Sequence, residues 1–190
     1  YQRLVTHGTR WRPNYAIQLS VRREEIDCAS ELDEIRAVGQ GSTLELEQVL
    51  TRLRLPTILA NIARGEKVLV YTHLVDEIAK ELLDAVRVAG HLAGVLTGET
   101  DDTDLREFLK PNGSVDVLIA SSRIGTGVDG LQHVCNKLII NVLPWTNAEY
   151  EQLIGRLYRQ GSRFGRVDVV VPVTFAMVNG ERWSYCESKL

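Results

Sequence analysis

The sequence predicts an α/β domain of three layers, with helices on both faces of a mainly parallel sheet. Three observations predict it. Between residues 66 and 173, short apolar runs alternate with amphipathic stretches, the pattern of successive βαβ units. Several runs, such as Val68-Leu-Val-Tyr71, are continuous rather than alternating, as in strands buried on both faces. Finally, 190 residues with 44% hydrophobic and 25% charged content are enough for one domain with a full core.

The elements follow in order. Tyr15-Ala-Ile-Gln-Leu-Ser-Val21 alternates apolar and polar and predicts a strand. Residues 22–37 predict a helix, which Gly39-Gln-Gly41 breaks. Thr43 is placed to cap a helix carrying Leu44, Leu46, Val49, Leu50 and Leu53. Pro56 then suits the first turn of a new helix, and Gly65 stops it. Lys67–Thr72 is the first buried strand of the regular zone. The helix behind it carries Leu74, Ile78, Leu82 and Val86, spaced by four, and stops at Gly90. Leu92–Leu96 is a short strand, Thr100 or Asp101 caps a helix to Leu109, and Val115–Ser121 and Leu138–Val142 are further strands. A helix over 147–158 and a strand over 167–173 complete the pattern. In the tail, Asn179-Gly180 suits a type I′ hairpin turn, although Glu181 could equally start a helix. On this reading residues 1–65 form a separate linker with helices, and residues 66–190 form the α/β domain. In such folds ligands bind beyond the carboxyl ends of strands, so the loops after Thr72, Leu96, Ser121 and Val142 are where chemistry belongs.

Composition narrows the function. The net charge of −3 is no broad basic footprint, so any nucleic-acid contact is a local strip. No run of about 18 apolar residues and no charged-then-apolar leader predicts a membrane segment or secretion. The first residue is Tyr1, not Met, and the expectation is a fragment or a processed chain. Three cysteines, Cys28, Cys135 and Cys186, lie far apart without CxxC spacing, as in packed thiols of a reduced intracellular protein. His7, His73, His91 and His133 lack metal-ligand spacing. Asp76-Glu77 lies inside a predicted helix, on a solvated face, so no metal ligands are assigned. Trp11, Trp145 and Trp183 read as packing residues rather than base-stacking platforms.

Two segments carry chemistry. In Gln152-Leu-Ile-Gly155-Arg156-Leu-Tyr-Arg159-Gln-Gly161 the arginines are three apart, so on a helix they share one face. Paired guanidiniums suit polyphosphate oxygens, with Gln152 one turn earlier and Gly155 admitting a close backbone. In Ile119-Ala-Ser-Ser-Arg123-Ile-Gly125-Thr-Gly127-Val-Asp129-Gly-Leu131 a buried strand opens into a glycine-rich loop. Three glycines in six residues permit unusual φ angles and expose backbone N–H groups to phosphates. No Gly-Lys-Ser/Thr follows, so this is not the phosphate loop of a complete nucleotide site.

The first segment resembles motif VI of superfamily-2 helicases, and the second resembles their motif V. Val68-Leu-Val-Tyr71-Thr72-His73 is similar to motif IV, and Leu96-Thr97-Gly98 to the short motif after the next strand. Leu143-Pro-Trp-Thr-Asn147 and Arg159-Gln-Gly-Ser162 resemble most the Swi/Snf-like branch, although Leu143-Pro144 replaces its acidic lead-in and Ser162 its final Gln. The resemblance covers about residues 66–175, in the family's motif order. It implies a RecA-like second lobe of an ATP-dependent helicase or translocase. Arg156 and Arg159 would be arginine fingers. Gln152, Gly127 and Asp129 would meet the nucleotide, Asp129 at the ribose. Thr72, Thr97, Gly98, Ser122, Arg123 and Thr126 would face nucleic acid, DNA before RNA. ATP and Mg²⁺ would be held mainly by an N-terminal lobe ahead of Tyr1, in a cytoplasmic protein, or a nuclear one if eukaryotic. Residues 1–65 match no motif. The alternative reading is a non-catalytic scaffold with the same fold. A free-standing enzyme acting on a small phosphate ligand is a third reading, but no general base or nucleophile stands at a strand end to support it.

Overall fold

The computed structural model describes residues 17–73, 76–125 and 128–184. Within them, seven strands form one sheet. In chain order the elements are β1 (Gln18–Asp27), α1 (Leu32–Gly39), α2 (Thr43–Ala60), β2 (Val68–Thr72), α3 (Asp76–Val88), β3 (Ala93–Leu96), α4 (Thr103–Leu109), β4 (Val117–Ala120), β5 (Lys137–Val142), α5 (Asn147–Ile154), β6 (Arg166–Val178) and β7 (Glu181–Ser184). The strand order is β1-β6-β5-β2-β4-β3, all parallel, with β7 antiparallel to β6.

The strands sit where continuous apolar sequence puts them. All five residues of β2 and all four of β4 are buried, because helices cover both sheet faces. On one face Leu69, Leu138, Val169 and Val171 pack with Leu105, Phe108, Leu153 and Leu157. On the other, Val68, Val70, Ile119 and Val170 pack with Ile58, Ile78, Leu82 and Val86. A third cluster joins Cys28, Ile35, Leu46, Leu50 and Ala176, with Trp183 against it. The result is the predicted three-layer RecA-like α/β fold. None of the described helices is long and apolar enough to cross a membrane.

Four local expectations are corrected. The helix expected over 22–37 begins only at Leu32, because β1 runs on to Asp27. Among the described residues β1 pairs only with β6, residue for residue from Gln18↔Arg166 to Asp27↔Phe175, and most of it is exposed. Its Arg22-Arg23-Glu24-Glu25 core therefore needs no apolar period. The cap before α2 is Ser42, whose hydroxyl accepts from Glu45 N–H, so Thr43 is the first helical residue. Pro56 lies inside α2 and starts no new helix. The residue is exposed, which leaves the carbonyl it cannot serve in water, while Leu50 and Ile58 bury the opposite face. Finally, α5 stops at Ile154, not Tyr158, with Gly155, a poor helix former, as its C-cap.

The described part of the segment ahead of residue 66 is built into this unit, with β1 in the sheet and α2 against it. The tail is a hairpin: Asn179 (φ 52°) and Gly180 (φ 83°) make the left-handed turn between β6 and β7. Cys28 and Cys135 are free and buried. Burial pushes the Cys135 thiol up to about 12, so it is an inert, packed thiol. Cys186 and Trp11 lie outside the described residues.

Candidate nucleotide and nucleic-acid interface

The strand order places β5, β2, β4 and β3 side by side, so their carboxyl-terminal loops gather along one edge. The loops after β3 and β4 are joined directly. Ser121 N–H donates to Leu96 O at 3.1 Å. Arg123 then reaches across, donating to Thr97 O at 3.1 Å, to Thr100 O, and to Asp102 Oδ1 at 2.7 Å. Thr97 N–H donates to Thr100 Oγ1 at 2.8 Å. Thr97 is buried. Gly98 and Ser122 are exposed, and a Cβ at Gly98 would meet nothing within 4 Å. The two loops thus form one surface, with Gly98 and Ser122 outward and Arg123 as the internal tie. In this structure Arg123 grips protein carbonyls, whereas the sequence reading turns it toward nucleic acid.

Thr72 is placed differently. It is 0% exposed, and its hydroxyl is buried without a hydrogen-bond partner among the described residues. Alternation along β2 puts it on the face of Val68 and Val70, under α2. The next residue, His73, receives the neighbouring chemistry: Tyr71 hydroxyl and His73 Nδ1 lie 3.1 Å apart. The His73 ring meets Trp145 edge-on at 5.6 Å. Burial and the nearby Glu149 carboxylate raise the Tyr71 phenol to about 12, so it stays a neutral hydroxyl. Trp145, expected to be packed, is 57% exposed.

A second cluster lies beyond the glycine-rich loop. Arg159 Nη1 lies 2.8 Å from Asp129 Oδ1, and Arg156 Nη1 lies 4.0 Å from the same oxygen. Because α5 ends at Ile154, the arginines do not share a helical face. Instead, turn bonds carry the chain from Ile154 to Arg159, and Asp129 draws the two guanidiniums together. Gly161 (φ 86°) ends the segment in a conformation other residues resist. The arginines differ in attachment. Arg156 donates to Val128 O at 3.1 Å and to Gly125 O, bracketing the loop between them. The side chain of Arg159 is half exposed, and that of Asp129 77% exposed. Gln152 is exposed on α5 and joins this cluster through no hydrogen bond among the described residues. Gly155 serves the local turn: a Cβ there would lie 3.1 Å from Glu151 O. Thr126 and Gly127 lie outside the described residues.

The sequence reading missed a buried ion pair, Glu47 and Arg54 on α2 (2% and 0% exposed). The signal was there: Leu50, Arg54 and Ile58 are spaced by four, which sets Arg54 in the apolar stripe. Among the described residues no group of three or more His, Cys, Asp or Glu could hold a metal ion.

Comparison with known proteins gives the chain's family and supports its fold. The model of the helicase conserved C-terminal domain matches residues 47–161, and the chain belongs to that family. No curated protein matches the chain. Solved structures share the fold at low identity. A DEAD box protein from Methanococcus jannaschii is similar at 20% identity and TM-score 0.57, over 85% of this chain and 37% of that one. T4 UvsW is similar at 15% identity and TM-score 0.59, over 85% of this chain and 33% of that one. The E. coli DEAD-box protein SrmB, in a structure with RraA, is similar at 20% identity and TM-score 0.51, over 82% and 77%. The chain thus spans 37% and 33% of the first two neighbours' length.

Proposed function

We propose that this chain is the second lobe of a nucleic-acid-dependent ATPase of the helicase or translocase type. The observation that carries the proposal is the convergence of Arg156, Arg159 and Asp129 within the family-matched region. Two guanidiniums and an exposed carboxylate complement a nucleotide: cations for phosphate oxygens, an acceptor for ribose hydroxyls. Arg159 is held by one exposed ion pair, which is weak, so its guanidinium can leave Asp129 for a phosphate. There it stabilises charge developing on the transferred phosphoryl group, as an arginine finger does. Arg156 works from its anchor on the glycine-rich loop, and Gln152 and Gly127 border the nucleotide's approach. Asp129, once released, accepts from the ribose.

Bound Mg²⁺ would supply positive charge to offset that of the nucleotide's phosphates. We assign it, with the phosphate-cradling loop, to an N-terminal lobe. Residues 1–65 would lead in from that lobe. Nucleic acid would run over Gly98, Ser122 and Thr126, with Thr97 and Arg123 shaping that surface from within. Contacts there would be to backbone phosphates, which allow tracking without sequence preference. DNA is the first polymer to test and RNA the second.

The test is phosphate release by the isolated chain and by a protein carrying the preceding lobe in the same polypeptide. The isolated chain should show no turnover with or without nucleic acid, and the two-lobe protein should be active. Robust hydrolysis by the isolated chain, abolished by a substitution within it, would mean that it is a complete enzyme.

A further inference from the structure

Two charged side chains are buried beside the carboxyl-terminal end of β5. Arg54 is 0% exposed and Glu47 2%. Their closest approach is Arg54 Nη1 to Glu47 Oε2, 3.3 Å. The same Nη1 donates to Asn141 O at 2.8 Å. Asn141 Nδ2 donates in turn to Thr51 Oγ1 at 2.8 Å. Helix α2 therefore grips Asn141 twice, once by its backbone and once by its side chain.

Asn141 is no ordinary strand residue. Tyr71 pairs with Ile140 and Thr72 with Val142, so the register of β2 and β5 skips Asn141. A skipped residue has no ladder partner of its own to fix it. Its carbonyl would be a buried acceptor in need of a donor, and Arg54 supplies one. The chain then runs through buried Leu143 and Pro144 to exposed Trp145 and to Thr146. Thr146 caps α5 through a reciprocal box: Glu149 N–H donates to Thr146 Oγ1 at 3.2 Å, and Thr146 N–H to Glu149 Oε2 at 3.1 Å. Helix α5 leads directly into the Arg156–Arg159 segment.

A buried ion pair is weak evidence of a role in stability. Both ions give up water, and replacing such a pair with apolar residues of similar volume is often neutral or stabilising. We propose that Glu47 and Arg54 are positioning residues: they fix Asn141, and through it the loop 143–146 that launches α5 and the arginine segment. The proposal rests on the functional reading above for its consequence, but its structural core is tested separately.

The decisive variant is Glu47→Leu/Arg54→Met, which removes both charges and leaves neither ion buried alone. Hydrogen exchange is measured at the amides of residues 142, 143 and 145–149, Pro144 having none. The expected result is a folded variant in which the buried Asn141 carbonyl has lost its donor and these amides exchange about tenfold faster or more. Amides of β4, remote from Asn141, should be unchanged. Thr51→Val removes only the hydroxyl that holds the Asn141 side chain. It should produce the same local effect more weakly, so the idea stays testable if the double variant fails to fold. Exchange at 142–149 equal to the parent's in a folded variant would overturn the proposal. In the two-lobe protein the double variant should lower kcat roughly tenfold or more, with KM for ATP unchanged, because misplacement acts on the reacting geometry. Faster exchange with unaltered kcat would also overturn it. If the parent two-lobe protein itself lacks turnover, the functional reading fails, and the exchange data alone judge the grip on Asn141.

Discussion

Arg156 and Arg159 sit three positions apart and are attached in different ways, which separates their effects on folding. Arg159→Ala removes a half-exposed ion pair and should change stability by about 0.5 kcal/mol or less. Arg156→Ala removes donors to Val128 O and Gly125 O and should cost about 1–2 kcal/mol. Thermal melting checks both: Arg156→Ala should lower the midpoint by about 2–4 °C per kcal/mol, and Arg159→Ala hardly at all. A pH effect belongs to the same scale. Hydrogen bonds from Lys110, then Ser114 N–H, hold the Glu107 carboxyl down to about 2. A depressed folded-state value means stability present above the unfolded carboxylate range and lost as pH falls toward 2. Glu107→Gln should therefore flatten the acid limb of the melting profile between about pH 4.5 and 2, and an unaltered limb would contradict this. The residue types at the site were legible because motif spacing is linear in sequence. Their orientation was not: Thr72 turns inward because strand alternation under α2 decides it, and Arg123 turns to the carbonyls of Thr97 and Thr100 and the carboxylate of Asp102, 21–26 positions away.

Among the elements, β2, β4 and β5 were readable because burial on both faces forces continuous apolar sequence. β1 was readable only at its start. An edge strand with exposed faces can carry Arg22-Arg23-Glu24-Glu25, a run that propensity assigns to a helix. Helix α2 was split at Pro56 because local sequence says so, yet burial of Leu50, Arg54 and Ile58 carries the helix through. Helix α5 was drawn too long because Leu157 continues the apolar spacing. Leu157 is indeed buried, but on a turn beyond Gly155. The short α5 leans on its cap. Thr146→Ala removes the side-chain half of the box, the bond from Glu149 N–H to Thr146 Oγ1, and should cost about 1 kcal/mol, seen in denaturant unfolding as a lower midpoint with unchanged slope. A midpoint equal to the parent's would show that packing of Leu153 and Leu157 alone holds the helix.

At the scale of the whole molecule, a net charge of −3 gives no broad basic surface, so the proposed nucleic-acid contact is confined to the loops gathered at one edge of the sheet. Nucleic-acid affinity of the two-lobe protein should fall as salt rises, with a log–log slope of about −0.7 to −0.9 per phosphate contacted. It should differ little between unrelated sequences of one polymer. A strong preference for one sequence in competition would contradict backbone tracking. The central claim is that this lobe completes a nucleotide site held mainly by another. Its most direct test is nucleic-acid-stimulated phosphate release by the two-lobe protein bearing Arg159→Ala, the substitution that leaves folding nearly untouched. The account predicts turnover lower by roughly 10³-fold, the lower end of an arginine finger's contribution. Turnover equal to the parent's would contradict it.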